Sequence, residues 1–198
     1  MTPRLKSVVT MFLVGLAVIS VASLASDQAI RVDSSPRPFA VVSPQGWKQQ
    51  PTTTGNSRVK FASPAGTPNA ECAVIVQELS GLKGLPQSYF DEQMLQPSAP
   101  REIELQLSSR YNNVKVVATG VANISGYPAG LSNVRYSVGT PAGELWARGL
   151  MVSTGTTPGL VWTSACGGLG RNTKEADAAY SYWQSEIMRF HTNIKILR

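Results

Sequence analysis

The chain has 198 residues, a formal net charge of +6 and 42% hydrophobic residues. This length indicates one globular domain, and the ordinary apolar content excludes a disordered or fibrous chain. The basic residues are scattered, without a run of three, so we expect a solvated surface and no binding of nucleic acid.

The first 25 residues have the pattern of a secretory leader. Arg4 and Lys6 precede an uncharged apolar stretch that ends in Ser23-Leu24-Ala25. We therefore predict a signal peptide at residues 1–25, cleaved after Ala25, and a periplasmic or secreted protein. The alternative is a membrane anchor through residues 8–25, which are just long enough to cross a bilayer. The protein would then be held in the inner membrane and face the periplasm.

Residues 26–38 are polar and contain prolines, which predicts a short tether before a single domain at 39–198. Two cysteines, Cys72 and Cys166, each adjoin a strand-like segment. An exported chain meets an oxidising compartment, so we predict a disulfide between them. Two buried thiols are the alternative.

Two similar motifs mark the ends of predicted strands. In "FAVVSPQGW", residues 39–47, Ser43, Pro44 and Gly46 suit the first, second and fourth positions of a type I turn. The motif "FASPAG" at residues 61–66 repeats this chemistry. We expect Trp47, just beyond the first turn, to be a core residue.

The remaining elements follow from hydrophobic periodicity and from the positions of glycine and proline. The segment 101–111 alternates like a strand, but its Glu, Gln and Leu content favours a helix. The last segment is amphipathic, with Asn172 as its N-cap and Glu175 three residues later. Strands are predicted at 39–42, 58–63, 71–79, 114–124, 131–138, 144–153 and 160–166, and helices at 86–96, 101–111 and 172–190.

This order of elements predicts an α+β fold. Short links rich in Gly and Pro join the last four strands, which is typical of antiparallel neighbours. The apolar stripe of the last helix needs a surface to cover, and the sheet supplies it. We therefore expect an antiparallel sheet of about six or seven strands covered by helices.

The motifs at 39–47 and 61–64, "ISGYPAG" at 124–130 and the closing helix resemble the PsbP-like fold of PsbP and DcrB-like envelope proteins. The resemblance covers residues 38–197 and implies an α/β/α sandwich that acts as a non-enzymatic adaptor on larger complexes. The chain departs from lipoprotein members in having no cysteine after its apolar leader, and from some plant members in having few histidines. Lipid tethering and metal binding are therefore not expected.

The sequence offers little for catalysis. His191 is the only histidine, and we interpret it as a packed residue near the end of the last helix. Ser164 is placed at a strand end and not in a nucleophile elbow. The glycine-rich "CGGLGRN" at 166–172 lacks a phosphate-loop pattern, although Arg171 at the helix start keeps a contact with an anion or acidic peptide open.

Two functional hypotheses follow. The first is an exported, non-enzymatic adaptor or assembly protein without a cofactor, which binds a protein partner in the cell envelope. The second is a binder of a small apolar or peptide ligand in a groove between sheet and helix. Tyr89, Phe90, Trp146 and Trp162 are the candidate lining residues, with Arg171 as a further contact to a ligand or partner.

Overall fold

The computed structural model describes residues 29–33, 36–52 and 56–197. The described chain contains ten strands, three α-helices and one short 3-10 helix at Ser80–Leu82. The strands are β1 Ala29–Val32, β2 Phe39–Val42, β3 Lys48–Gln50, β4 Ser57–Ala62, β5 Ala70–Glu78, β6 Asn112–Ile124, β7 Tyr127–Thr140, β8 Gly143–Thr156, β9 Leu160–Gly170 and β10 Lys195–Ile196. The helices are α1 Gln87–Met94, α2 Pro100–Ser108 and α3 Thr173–Thr192.

Seven strands form one sheet in the order β3-β4-β5-β9-β8-β7-β6, and every neighbouring pair is antiparallel. A second, three-stranded sheet has the order β1-β2-β10. The α+β class and the large antiparallel sheet are therefore confirmed, and α2 settles the segment 101–111 as a helix.

The strands of the meander are longer than predicted, because the turns between them are tighter. β6 and β7 are joined by Ser125 and Gly126 alone, with φ values of 56° and 88°. Two successive residues with positive φ are the signature of a type I′ turn, whose twist matches that of the strands it joins. The predicted six-residue link "SGYPAG" is therefore a two-residue turn.

The two Ser-Pro-x-Gly turns begin one residue later than predicted. The Trp47 N–H donates to the Pro44 carbonyl at 3.1 Å, and the Thr67 N–H donates to the Pro64 carbonyl at 3.3 Å. Gly46 and Gly66 thus occupy the third position of each turn, with φ values of 76° and 84°. The prediction of a type I turn from Ser43 is wrong, because the glycine supplies the positive φ that a type II turn needs there.

The helix α3 lies on one face of the large sheet and is capped as predicted. The Asn172 side chain accepts a hydrogen bond from the Glu175 N–H at 2.9 Å. The Glu175 carboxylate reaches back to the N–H of Arg171, also at 2.9 Å. Gly168 on β9 allows the helix to approach closely, because a Cβ added there would lie 2.2 Å from the Tyr180 nitrogen.

The largest core cluster lies between this face, α3 and the three-stranded sheet. Trp47 is buried in it and meets Trp183 of α3 edge to face, so the expected core role of Trp47 is confirmed. The predicted disulfide is also present: Cys72 and Cys166 are directly opposite each other on β5 and β9, with Cα atoms 4.1 Å apart.

The helices α1 and α2 lie on the other face, where α1 packs on β7 and β8 and α2 packs on β6. Phe90 of α1 packs into the space left by Gly155, and Leu107 of α2 joins a second core cluster with Val134 and Tyr136. The helices therefore cover both faces of the sheet. Among the helices of the described chain, none has the length and apolar character to span a membrane.

The predicted tether contains a strand. Residues 29–32 pair with β2, so the folded part of the chain begins at least ten residues before Phe39. A strand of four residues has too short a pattern to stand out among polar neighbours. β3, which has only three residues, was missed for the same reason. The predicted signal peptide at 1–25 lies outside the described residues.

Candidate functional site

A serine and the single histidine meet inside the protein. Ser164 lies in the middle of β9, not at a strand end as predicted, and its side chain points towards α3. The Ser164 Oγ is 2.7 Å from Nδ1 of His191 in the last turn of that helix. A hydroxyl and an imidazole at this distance have the geometry of a nucleophile and its general base.

The pair lies almost completely out of contact with solvent. Ser164 and His191 are 1% and 4% exposed. Burial lowers the pKa of His191 from 6.5 to about 3, so the imidazole is neutral. Its Nε2 has no hydrogen-bond partner among the described residues. The hydrogen bond therefore ties the end of α3 to the central strand, which agrees with the interpretation of His191 as a packed residue.

A charged cluster fixes α3 to the sheet further along the helix. Both nitrogens of one edge of the Arg135 guanidinium donate to the Asp177 carboxylate, at 2.9 and 2.6 Å. Arg148 donates to the same carboxylate at 3.4 Å and lies over the Tyr180 ring, 5.4 Å from its centre. The hydrogen bond from Arg135 is the main cause that lowers the pKa of Asp177. This network joins β7, β8 and α3 through a carboxylate that stays ionised.

A groove opens at the surface beside the start of α3. We call it the α3 groove; it has a volume of about 460 Å³ and more apolar than polar wall. Leu145 and Leu169 come from the sheet, Pro68 from the loop before β5, and Ala178 from the helix. Its lining consists of Thr67, Pro68, Asn69, Leu145, Leu169, Gly170, Arg171, Glu175, Ala178 and Ala179.

Arg171 and Glu175 lie at the rim of this groove and carry its charge. The Arg171 side chain is 89% exposed, and its guanidinium is 3.3 Å from the Glu175 carboxylate. The hydrogen bond from the Arg171 backbone N–H is the first cause that lowers the pKa of Glu175. An exposed arginine can exchange this weak ion pair for an acidic group of a bound molecule.

The structure does not bring the four predicted aromatic residues together. Phe90 and Trp162 are fully buried on opposite faces of the sheet, because Trp162 joins the core under α3 and Phe90 packs under α1. Tyr89 meets Phe90 edge to face. Trp146 is half-buried and lies opposite Gly170 on the neighbouring strand.

The four residues therefore do not line a common groove, and the α3 groove is a different site. Arg171 is the one predicted contact residue that lines the α3 groove directly. Apart from Glu175, the remaining lining residues are small or aliphatic, and their local sequence does not mark them as residues of a site. Their grouping depends on contacts between the loop at 67–69, the start of β8 and the segment where β9 leads into α3, which are separated in sequence. The residues of the chain that the structure describes hold no cluster of three or more His, Cys, Asp or Glu side chains placed to bind a metal.

Comparison with known proteins identifies the fold. No family model matches the chain, and no curated protein matches it. The structure is similar to the solution structure of cyanobacterial PsbP (CyanoP) from Synechocystis sp. PCC 6803, with a TM-score of 0.52 and 13% identity over 91% of this chain and 99% of that chain. It is also similar to the crystal structure of LpqN, described as involved in cell envelope biogenesis of Mycobacterium tuberculosis, with a TM-score of 0.50 and 12% identity over 86% of this chain and 91% of that chain.

These similarities extend over most of both chains and show that the protein has a PsbP-like fold. The resemblance inferred from the turn motifs and the closing helix is thereby confirmed at the level of the fold. At 12–13% identity it carries no residue of a functional site from either protein to this one.

Proposed function

We propose that the protein is an exported, non-enzymatic adaptor or assembly protein that binds a protein partner in the cell envelope through the α3 groove. The observation that carries this proposal is the groove itself, an apolar trough at the surface with an exposed arginine at one end. Apolar walls with a few charged groups at the rim are typical of surfaces that hold a segment of a partner.

Four further observations support this proposal. The leader pattern at residues 1–25 and the Cys72–Cys166 disulfide both suit export to an oxidising compartment. The PsbP-like fold is shared with LpqN, which is described as involved in envelope biogenesis in its own organism. The pair with nucleophile–base geometry, Ser164 and His191, is sealed in the core, which favours binding over catalysis.

A second candidate function is binding of a small apolar or peptide ligand in the same groove. The volume of about 460 Å³ falls within the usual range for small-molecule sites, and the aliphatic walls suit an apolar group. The exposed Arg171 would then hold an acidic group of the ligand at the rim.

Crosslinking in intact cells tests the proposal. A photoreactive amino acid that replaces Ala178, inside the groove, should crosslink this chain to a partner protein. The product should have the combined mass of the two proteins. The same amino acid at Ser185, two helical turns further along the same side of α3, is the control. Equal crosslinking at both positions, or none at either, would contradict docking in the groove. An Ala178-specific adduct of a few hundred daltons would instead establish the small-ligand function.

Export is tested separately by sequencing the mature N-terminus. Ser26 as the first residue is the expected result and shows cleavage after Ala25. Met1 as the first residue would show that the leader is retained as an anchor, and detergent extraction would then be needed to release the protein.

A further inference from the structure

The two edges of the large sheet differ in length and chemistry. β3 forms one edge with only three residues, Lys48–Gln50, of which the first two are exposed. β6 forms the other edge with 13 residues, and no further strand of the described chain pairs with its outer side. Short or lysine-bearing edges resist pairing with another chain, whereas long uncharged edges invite it. β6 carries Lys115 near its start, but the half of the strand that leads to the turn has neither a lysine nor a short length to protect it.

The register of the hairpin shows which backbone groups of β6 point outwards. The two-residue turn makes Ile124 and Tyr127 a hydrogen-bonded pair. From there, non-hydrogen-bonded and hydrogen-bonded pairs alternate along the two strands. Asn123, Val121 and Thr119 fall in the non-hydrogen-bonded pairs, and their N–H and C=O groups point away from β7. Pro128, which has no N–H, falls opposite Asn123, where none is needed for pairing with β6.

A bulge and a carboxylate limit the open stretch at its other end. The pairing of β6 with β7 shifts between Val116 and Ala118, which leaves Val117 as the extra residue. The Val116 N–H is already satisfied, because it donates to the Glu104 carboxylate of α2 at 2.9 Å. Bulges and capped donors stop edge pairing locally. The edge available for pairing is therefore confined to residues 118–123.

This stretch is open and uncharged. Val121 is 45% exposed, and a Cβ added at Gly120 would meet nothing within 4 Å. No charged residue occurs between Lys115 and Arg135. A second copy of the same strand could therefore approach it without repulsion between like charges, which would otherwise oppose cross-strand pairing.

We infer that β6 pairs with β6 of a second copy of this chain, antiparallel and about a two-fold axis at Val121. In this register Val121 faces Val121 of the second copy, and Thr119 faces Asn123. The outward N–H and C=O groups of these three residues then meet each other as hydrogen-bonded pairs, and the two sheets join into one. Such an interface is isologous, as expected for a dimer with two-fold symmetry. Because this edge is separate from the α3 groove, the dimer can hold two partners.

Cysteine crosslinking tests the register. In the dimer the Cα atoms of the two Val121 residues would be about 5.5 Å apart, a distance that a disulfide can bridge. The two Thr119 residues would be offset by about 14 Å along the strands. Under mild oxidation Val121→Cys should give a disulfide-linked dimer, and Thr119→Cys should not. The native cysteines do not interfere, because they are already bonded to each other and buried.

Sedimentation velocity of the exported chain over a range of concentrations gives the second measurement. The wild-type protein should dimerise as concentration rises, and Val121→Lys should weaken the dimer at least about tenfold, because two ammonium groups would meet at the axis. Val121→Thr keeps the strand and the charge and should dimerise as the wild type does. Thermal unfolding checks that each variant is folded.

Several outcomes would overturn the inference. These are a wild-type protein that stays monomeric at all concentrations, a dimer that Val121→Lys leaves unchanged, and equal crosslinking of the two cysteine variants. Crosslinking of Val121→Cys in cells to a different protein, and not to a second copy, would show that the edge serves a partner strand instead.

Discussion

The two faces of the seven-stranded sheet are covered in different ways. One face carries a single helix of 20 residues, α3, which is capped by a side chain and fixed by Asp177 and His191. The other face carries two helices of eight and nine residues, and neither has a side-chain hydrogen bond at its N-cap. The disulfide also lies in the core under α3.

This difference separates a part of the molecule that is fixed by a side-chain cap, an ion-pair network and a disulfide from a part with fewer such contacts, where Gln87 of α1 and Glu104 of α2 hydrogen-bond to the sheet. On the α3 face, glycines on β9 let helix and sheet approach closely, so small changes of shape are costly. On the α1–α2 face, a Cβ added at Gly155 would meet the side chain of Phe90 and not the helix backbone. We expect mutations of similar chemistry to have larger effects on the α3 face.

The largest effect should come from the disulfide. Replacing Cys72 and Cys166 together by alanine removes a link that spans 94 residues of chain. The free energy of unfolding should fall by about 4–5 kcal/mol in the chain-entropy account. Urea unfolding of the double variant against the wild type measures the loss. A loss below about 1 kcal/mol would show that the core under α3 does not depend on the bond.

A matched pair of glycine substitutions tests the close approach of α3. Gly168→Ala would place a Cβ 2.2 Å from the Tyr180 nitrogen, so the helix must move, at a cost of about 3 kcal/mol. Gly149→Ala places a Cβ on the other face at ordinary contact distances of 3.6 Å or more, so its cost should be small. Equal losses in the two variants, measured by thermal unfolding, would remove the contrast between the faces.

The buried histidine should make the α3 face sensitive to acid. The pKa of His191 is about 3 in the folded protein and 6.5 when unfolded, so between these pH values the unfolded state binds more protons. The free energy of unfolding should therefore fall as the pH is lowered through 6.5, by about 2–3 kcal/mol at pH 4.5.

The variant His191→Asn isolates this effect. Asparagine can keep a hydrogen bond to Ser164 but cannot take up a proton. The difference in unfolding free energy between wild type and variant should shrink steadily between pH 7 and pH 4.5. A difference that stays constant over this range would show that the histidine does not cause the acid sensitivity.

The smallest effects concern the helix caps. Asn172→Ala removes the hydrogen bond to the Glu175 N–H and should destabilise the protein by about 1 kcal/mol. Ala99→Ser supplies α2 with the cap that it lacks, followed by Pro100 and by Glu102 three residues after the cap. This change should stabilise the protein by about 0.5 kcal/mol. Chemical denaturation measures both; a destabilising Ala99→Ser would mean that burial alone sets the position of α2.

Local signals explain what could be predicted from the sequence. The cap at Asn172, the apolar spacing of α3 and the alternation of the meander strands lie within short windows, so the helix and the antiparallel sheet were predicted. The first turn was predicted one residue too early. The same proline and glycine fit both a type I turn that begins at Ser43 and a type II turn that begins at Pro44. β1 has only four residues and gave no periodic signal.

The functional surfaces depend on contacts between distant parts of the chain. Ser164 and His191 are 27 residues apart, and their hydrogen bond follows from how α3 folds back over β9. The α3 groove combines residues from the loop at 67–69, two strands and a helix. Only Arg171 was anticipated there, because its exposed position at a helix start could be inferred locally. The aliphatic and small lining residues were not predicted, because such side chains do not by themselves indicate a binding site.

The three-stranded sheet has a consequence for the order of assembly. Both β1, at the beginning of the described chain, and β10, near its end, pair with β2. The strand at Phe39–Val42 therefore cannot pair with β10 until residues 195 and 196 have been synthesised and have reached it. During synthesis the three-stranded sheet can therefore contain only β1 and β2. A chain that lacks its last few residues could never add the third strand.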